Sequence, residues 1–305
     1  MIIRNPKTEE LASILDALNI EFIFSKGKRL RIEKRFPFLF ENIDHLWGLF
    51  ENDELLAFLA IKPTLFKISN ETIQGFFIGS VFTPNIHRKK GFAKSLLKYI
   101  QEKYILNNYK FGVLWTNLHE YYAKFGWVVH ENGCYIECSN AKELHEINAL
   151  GVEVTECNIN DYKSIDNYRV DIEENHIIRN YNDVYYGYGS VYSPGEMPLL
   201  VKVVRDTSII GYAVGVMNDT TIIFSEIIEL NEEVMSSVLK YLFEKYNKVV
   251  RFNYNLDSNS DKINSLNHWF KDVNVTKPII TMYFCPDIKI LNLIKNYYIP
   301  FLDRI

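Results

Sequence analysis

The chain has 305 residues, more than one domain usually holds, so its length points to two. A hydrophobic fraction of 48% suffices for ordinary cores, and a formal net charge of -4 argues against general nucleic-acid binding. No stretch approaches the roughly 20 apolar residues of a membrane span. Met1-Ile-Ile-Arg-Asn-Pro6 lacks the architecture of a signal peptide, and the seven histidines show no metal-ligand grouping.

Residues 7–24 repeat apolar side chains at helical spacing (Leu11, Ile14, Leu15, Leu18, Phe22), with Thr8 suited to cap the start. The basic run 26–35 reads as a solvated helix face or loop. Its other reading is an entrance that attracts the phosphates of a cofactor or an anionic acceptor. Residues 45–50 and 55–61 read as a hairpin around Asn52-Asp53-Glu54. A short apolar strand, 76–82, then runs into Thr83-Pro-Asn-Ile-His-Arg-Lys-Lys-Gly-Phe-Ala93, a basic turn carrying one glycine. The turn opens directly into a helix with apolar Phe92, Leu96, Leu97 and Ile100. Such a junction leaves backbone N–H groups unpaired at a helix start, where the dipole also favours negative charge. Arg88, Lys89 and Lys90 add mobile positive charge, so the natural guest is a diphosphate. The Gly-Lys-Ser/Thr ending of a Walker loop is missing, as are the three spaced glycines of a dinucleotide fingerprint.

After this helix, residues 111–115 read as a short buried strand, and Thr116 and Asn117 suit a helix N-cap. A short helix ends in Tyr121-Tyr-Ala-Lys-Phe-Gly-Trp127, where Gly126 can supply a left-handed stop. A hairpin of 127–129 and 134–138, turning at Asn132-Gly133, completes the first half. Across 141–151 the pattern resets. A strand at 152–157 precedes a helix that starts at 161–168 and continues through 178 and 185. There follow a hairpin (199–204 and 209–216, around Arg205-Asp206-Thr207), a strand at 221–228, a helix at 232–246 and a strand at 249–254. A short helix at 265–270 and a closing strand at 279–284 end the series, which repeats the order of the first half. Where the first half has its basic turn, the second has Glu226-Ile-Ile-Glu-Leu-Asn-Glu-Glu233. Four carboxylates at a helix start repel a diphosphate and suit the positive end of the dipole. Cys134, Cys138, Cys157 and Cys285 lack paired spacing and read as free thiols of a reducing cytoplasm.

Arg88-x-x-Gly91-x-Ala93 resembles the Arg/Gln-x-x-Gly-x-Gly/Ala loop with which GNAT acetyltransferases hold the pyrophosphate of acetyl-CoA. Tyr122-Ala-Lys-Phe-Gly-Trp127 resembles the YxKxGF helix end of the same family, and the two motifs stand in the family's order. The resemblance implies an α/β chain of two GNAT-like domains in tandem, each a mixed, mostly antiparallel central sheet flanked by helices. Residues 1–148 are then the catalytic domain, and 149–305 a degenerate, non-catalytic one. It implies acetyl-CoA as donor and a primary amine of a small molecule or peptide as acceptor, in the cytoplasm, with no metal, nucleic acid or membrane. Homo-oligomer formation stays open.

For the site, the resemblance implies contacts to the pantetheine arm from Val81, Phe82 and Thr83, and to the pyrophosphate from Arg88, Lys89, Lys90, Gly91, Phe92 and Ala93. Asn117 is a further cofactor contact or a plain helix cap. Tyr122 would protonate the leaving thiolate, as a phenol of reference pKa ≈ 10 can, while Tyr121 points into the core. Glu71 and Glu120 are available as general base, and spacing selects neither. His87-Arg-Lys-Lys-Gly91 with the tandem arrangement also resembles the aminoglycoside acetyltransferases of the "enhanced intracellular survival" type, although 305 residues leave no room for their third, sterol-carrier-like domain. Val81-Phe-Thr-Pro84 with Tyr122-Ala-Lys-Phe-Gly-Trp127 resembles acetyltransferases of free lysine. The competing expectation is an acyl-CoA-binding or assembly protein of the same fold without turnover, and a longer acyl group stays open.

Overall fold

The computed structural model describes residues 1–40, 42–131, 133–141, 151–181, 184–185, 196–218, 221–228, 232–246, 249–255, 266–267, 269–277, 280–295 and 297–304. In chain order the strands are β1 (Ile2–Arg4), β2 (Leu46–Glu51), β3 (Glu54–Ile68), β4 (Glu71–Phe82), β5 (Phe111–Trp115), β6 (Trp127–Val129), β7 (Gly133–Ala141), β8 (Val152–Glu156), β9 (His176–Ile178), β10 (Met197–Arg205), β11 (Ser208–Met217), β12 (Thr221–Ile228), β13 (Val249–Asn255), β14 (Phe270–Thr276) and β15 (Thr281–Phe284). The helices are α1 (Thr8–Phe22), α2 (Ile32–Arg35), α3 (Pro37–Phe40), α4 (Phe92–Leu106), α5 (His119–Ala123), α6 (Tyr162–Ile172), α7 (Glu232–Tyr246) and α8 (Ile288–Ile294).

Two compact units result. One comprises Met1–Glu131, Ile279–Lys295 and Ile305, the other Asn132–Pro278 with Asn296–Arg304. The sheet of the first runs β1-β2-β3-β4-β5-β15-β6 and is antiparallel except for the β4–β5 pair. That of the second runs β14-β7-β13-β12-β11-β10-β8 and is antiparallel except for β12–β13.

Side-chain alternation decides what each face of the first sheet covers. On β3, Ala57, Leu59 and Ile61 join a core with Leu96, Leu97, Ile100 and Tyr104 of α4. The intervening Phe58 and Ala60 join Ile14 and Leu18 of α1, Ile32 of α2 and Leu39 and Phe40 of α3. The period of two thus buries both faces, which is why the strand reads as an almost continuous apolar run. The second sheet does the same. Val201, Val203 and Ala213 face α7, whereas Leu200, Tyr212 and Val214 face Tyr162 and Ile165 of α6.

The hairpin at 45–61 forms as expected, with Asn52 and Asp53 both at positive φ, as a two-residue mirror-image turn requires. A second such turn, at Ser69 and Asn70, joins β3 to β4. It makes both strands longer than their apolar runs suggest. The α1 cap falls on Lys7 instead of Thr8, because the Glu10 carboxylate accepts the Lys7 amide at 2.7 Å.

Three expectations change. The hairpin of 127–129 with 134–138 does not form. β7 lies between β13 and β14 of the second unit, with Cys134, Ile136 and Cys138 fully buried in its core. The strand expected to close the second half, β15, lies instead between β5 and β6 of the first, where Met282 packs with Leu114 and Trp127. The compact units are therefore not the contiguous halves 1–148 and 149–305. The helix expected to continue through 178 stops at Ile172, and residues 176–178 are extended. There the buried Arg169 guanidinium donates to the Ile177 carbonyl at 2.9 Å and holds the chain turned back. Asn132 of the expected Asn-Gly turn, 142–150 of the reset region and positions 265 and 268 of the 265–270 stretch lie outside the described residues.

Candidate active site

The site starts with a break in sheet regularity. Phe58 of β3 faces Phe82 of β4 while Ala60 faces Gly79, so Ser80 and Val81 together oppose Leu59. Ser80 takes a φ of +53°, a conformation uncommon outside glycine. On its other edge β4 pairs with β5 only from Gly75 to Phe77. Beyond Phe77 the two parallel strands part, and the β4 edge from Ile78 to Phe82 faces an opening instead of a neighbour. Phe82 buries its ring against Phe22 and the α1 core, and Val81 packs against the opposite core. What these two offer a ligand is backbone.

The turn after β4 carries a 3-10 segment, Asn85–His87, and then two residues at positive φ, Lys89 (+64°) and Gly91 (+86°). Gly91 is the N-cap of α4 and no side chain caps that end. The first helical bond is donated by Ser95 to the Gly91 carbonyl at 3.0 Å, so the amides from Lys89 to Lys94 find no partner among the described residues. Several N–H groups at one helix start form a concave donor set for an anion. A Cβ built on Gly91 meets nothing within 4 Å, leaving the cradle open to an approaching ligand.

A cavity of about 430 Å³ lies over this cradle, lined by Thr83, His87, Arg88, Lys89, Gly91, Phe92, Ala93, Lys94, Lys98, Tyr121, Lys124 and Phe125. Five of these are cations and none is a carboxylate. Arg88 is held at one side, its Nε donating to the Thr83 carbonyl at 3.0 Å and its Nη2 pairing with Glu21 of α1 at 2.8 Å. His87 is steadied by Glu54 (2.8 Å) and by an edge-to-face contact with Phe92. At the floor, the buried Gln101 of α4 donates to the Phe125 carbonyl at 3.0 Å and pins the end of α5 to α4.

Residues 2–129 match the family model described as an acetyltransferase (GNAT) domain. The first unit carries a GNAT acetyltransferase domain. No curated protein sequence matches the chain significantly. Among solved structures it is similar to a GCN5-related N-acetyltransferase from Anabaena variabilis ATCC 29413, with 11% identity over 92% of this chain and 72% of that one and a TM-score of 0.73. A conserved protein from Enterococcus faecalis V583, described as a probable N-acyltransferase, matches with the same identity and coverages and a TM-score of 0.75. A tandem GNAT protein from the clavulanic acid biosynthesis pathway matches with 10% identity, 92% of this chain, 98% of that one and a TM-score of 0.51. At such identities these likenesses concern the fold, and the fold is that of two GNAT units in tandem.

Within this GNAT unit the structure gathers Thr83, Arg88, Lys89, Gly91, Phe92 and Ala93 around one cavity. Lys90 is exposed beside it, and Val81 and Phe82 end the bulged strand above it. Asn117 is exposed and makes no hydrogen bond among the described residues, while the turn into α5 is made by Thr116, whose hydroxyl accepts the Leu118 amide. Tyr122 sits in the core formed with Leu96, Leu97 and Trp127, only 6% exposed, and its hydroxyl forms no hydrogen bond among the described residues. Burial pushes its phenol well above the ordinary range. Tyr121, expected in the core, packs against it at half burial and also lines the cavity, with its phenol also raised by burial. Glu71 stands at the far end of β4 from the loop, and Glu120 is exposed on α5 outside the cavity. Sequence reasoning missed Lys94, Lys98 and Lys124 as cavity residues. Their signal was spacing, since positions 94 and 98 share a helix face. The isolated Gly79 inside an apolar strand was the trace of the bulge.

In the second unit, Glu226 is not at a helix start. It is buried in β12, paired with Arg179, which also binds Asp303 at 2.9 and 2.6 Å. Glu233 near the start of α7 pairs with Arg205, and Glu229 lies outside the described residues. No helix among the described residues is long and apolar enough to cross a membrane, and no group of side chains there could hold a metal ion.

Proposed function

We propose that the chain is a GNAT-type N-acetyltransferase whose first unit transfers an acetyl group from acetyl-CoA to a primary amine of a small molecule or peptide. One observation carries the reading. A run of unpartnered amides from Lys89 to Lys94, bent open by two positive-φ residues, lies directly beyond a strand that has parted from its neighbour. Amides and cations there suit the diphosphate of the donor, while the free edge of β4 from Ile78 to Phe82 suits its amide-bearing pantetheine arm. Val81, Phe82 and Thr83 contribute through backbone, and Asn117 at the β5 exit flanks the opening.

The amine nitrogen attacks the thioester carbonyl and forms the C–N bond. The C–S bond then breaks, the thiolate takes the Tyr122 phenolic proton, and the proton shed by the new ammonium passes to water, which returns one to the Tyr122 phenolate. A phenol whose burial keeps it protonated, whose ring is fixed against Trp127 and whose hydroxyl is unbonded among the described residues fits that donor role. The second unit takes no part in transfer on this reading, since α7 opens on Glu232 and Glu233 where α4 opens on Phe92 and Ala93, and no Arg-Lys-Lys-Gly precedes it. Four cysteines without a disulfide support a reducing, cytoplasmic setting.

The test is thermal stabilisation by CoA followed by thiol release from acetyl-CoA across an amine panel. Release with at least one amine supports the reading. Stabilisation without release from any amine supports a binding protein that has lost turnover, and no stabilisation by CoA removes both.

A further inference from the structure

The cavity extends past the amide cradle, and its far wall is built differently. Lys94 and Lys98 stand one turn apart on α4, while Tyr121, Lys124 and Phe125 come from the end of α5. The Gln101–Phe125 bond ties these two walls together, so that Lys124 opens onto the same space as Lys94 and Lys98. None of the three lysines forms an ion pair or hydrogen bond among the described residues, whereas Arg88 on the near wall is already engaged by Glu21 and Thr83. Three unpaired ammonium groups around one cavity without a carboxylate repel one another unless an anion joins them. The cradle and Lys89 suffice for the two charges of a diphosphate, so the far wall carries charge that a diphosphate leaves unanswered.

We propose that Lys94, Lys98 and Lys124 form a second anion subsite that binds the phosphomonoester on the ribose of the nucleotide donor. The site thereby selects the 3′-phosphorylated carrier over its dephosphorylated form. This rests on the reading of the amide cradle as the diphosphate site. A phosphomonoester carries about -1.5 to -2 charges at pH 7, more than either phosphoryl group of a diphosphate, and its oxygens can accept from all three ammonium groups. The rings of Tyr121 and Phe125, 5.2 Å apart and edge to face, give the same wall an apolar surface for a flat base. Lys124 belongs to the helix-end motif, and the geometry gives it a charge-binding task there.

The experiment titrates the full chain calorimetrically with CoA and with dephospho-CoA at low salt, for the unmodified protein and for the Lys98→Gln/Lys124→Gln variant. A hydrogen bond to a charged group is worth about 1.5–3 kcal/mol, so the unmodified protein is expected to prefer CoA by about tenfold or more. In the variant CoA affinity should fall to that of dephospho-CoA, while dephospho-CoA affinity stays within about twofold. Adenosine 3′,5′-bisphosphate should compete with CoA in the unmodified protein far better than AMP does. Equal affinity for the two carriers overturns the subsite and leaves the cradle standing, as does a variant that loses both carriers in equal measure. Binding of neither carrier overturns the cradle reading and the subsite with it.

Discussion

Gly91 offers the sharpest handle on the cradle, because its φ of +86° and its empty surroundings act in opposite directions on a substituent. Space is no obstacle to a Cβ, so any penalty comes from the backbone. An ordinary L residue in the left-handed region costs about 1–2 kcal/mol, and a β-branched one is a true outlier there. In Gly91→Val the chain either keeps the turn and loses that stability, or relaxes towards negative φ. Relaxation rotates the peptides on both sides of residue 91 and turns the N–H groups at the head of α4 out of convergence. Losing one hydrogen bond to a charged phosphate, worth about 1.5–3 kcal/mol, weakens CoA binding by about tenfold or more. Gly151→Val is the matched control, since Gly151 has a φ of +80° and equally empty surroundings but lies in the second unit. Calorimetric titration with CoA, paired with thermal melts of both variants, separates the two effects. Similar losses of melting temperature are expected, with the affinity loss confined to Gly91→Val. Unchanged CoA affinity in Gly91→Val, or an equal loss in Gly151→Val, would refute the reasoning.

Tyr122→Phe removes a hydroxyl that bonds nothing among the described residues and keeps the ring packed on Trp127. Turnover should fall by about a hundredfold or more, as for loss of a general acid, with CoA affinity unchanged, and steady-state kinetics beside titration checks both. Asp303→Ala strips one of two carboxylates from the fully buried Arg179, a loss of about 3–5 kcal/mol for breaking a buried pair. Urea unfolding of the full chain should show it, and an unshifted midpoint speaks against the network. The Arg4 guanidinium, through two 2.7 Å bonds, holds the Glu10 carboxyl at about 2, below its ordinary 4.5. A depressed folded pKa stabilises above the unfolded value and loses that contribution as pH falls towards 2. The stability gap between the unmodified protein and Glu10→Gln should accordingly close between about pH 4.5 and 2, and a gap that widens there contradicts the pairing.

The loop and helix of the site were legible because their determinants are local. Gly91 marks a left-handed position, the apolar residues from Phe92 to Tyr104 fix which face of α4 is buried, and Arg88 to Lys90 declare the charge. Gly126 takes the left-handed φ of +83° that the end of α5 demanded. The bulge was less legible, because Ser80 carries no bias towards positive φ. Its geometry is imposed by the mismatch between β3 and β4 on either side of it. Tyr121 and Tyr122 show a different limit. Adjacent aromatics on a short helix must face different ways, but which of them meets the core depends on Trp127, Leu96 and Leu97, all supplied by other elements.

The exchange of β7 and β15 marks where pattern stops carrying information. Cys134, Ile136 and Cys138 alternate as a half-buried strand should, and all three are buried as their alternation demands. Alternation fixes which face a strand buries and says nothing about which edge it joins. Between β13 and β14, β7 gains two neighbours along nearly its whole length, Val250 to Asn255 on one side and Phe270 to Thr276 on the other. A hairpin with β6 offers three residues and one neighbour. Backbone groups of a long apolar strand are better satisfied by two ladders than by one short one. The same arithmetic sends the short β15 into the gap between β5 and β6, where both its edges pair and Met282 and Tyr283 are buried. Because β15 also fixes the outer edge of β5, the opening between β4 and β5 has one wall set by residues 281–284, at the opposite end of the sequence from the motifs that line it.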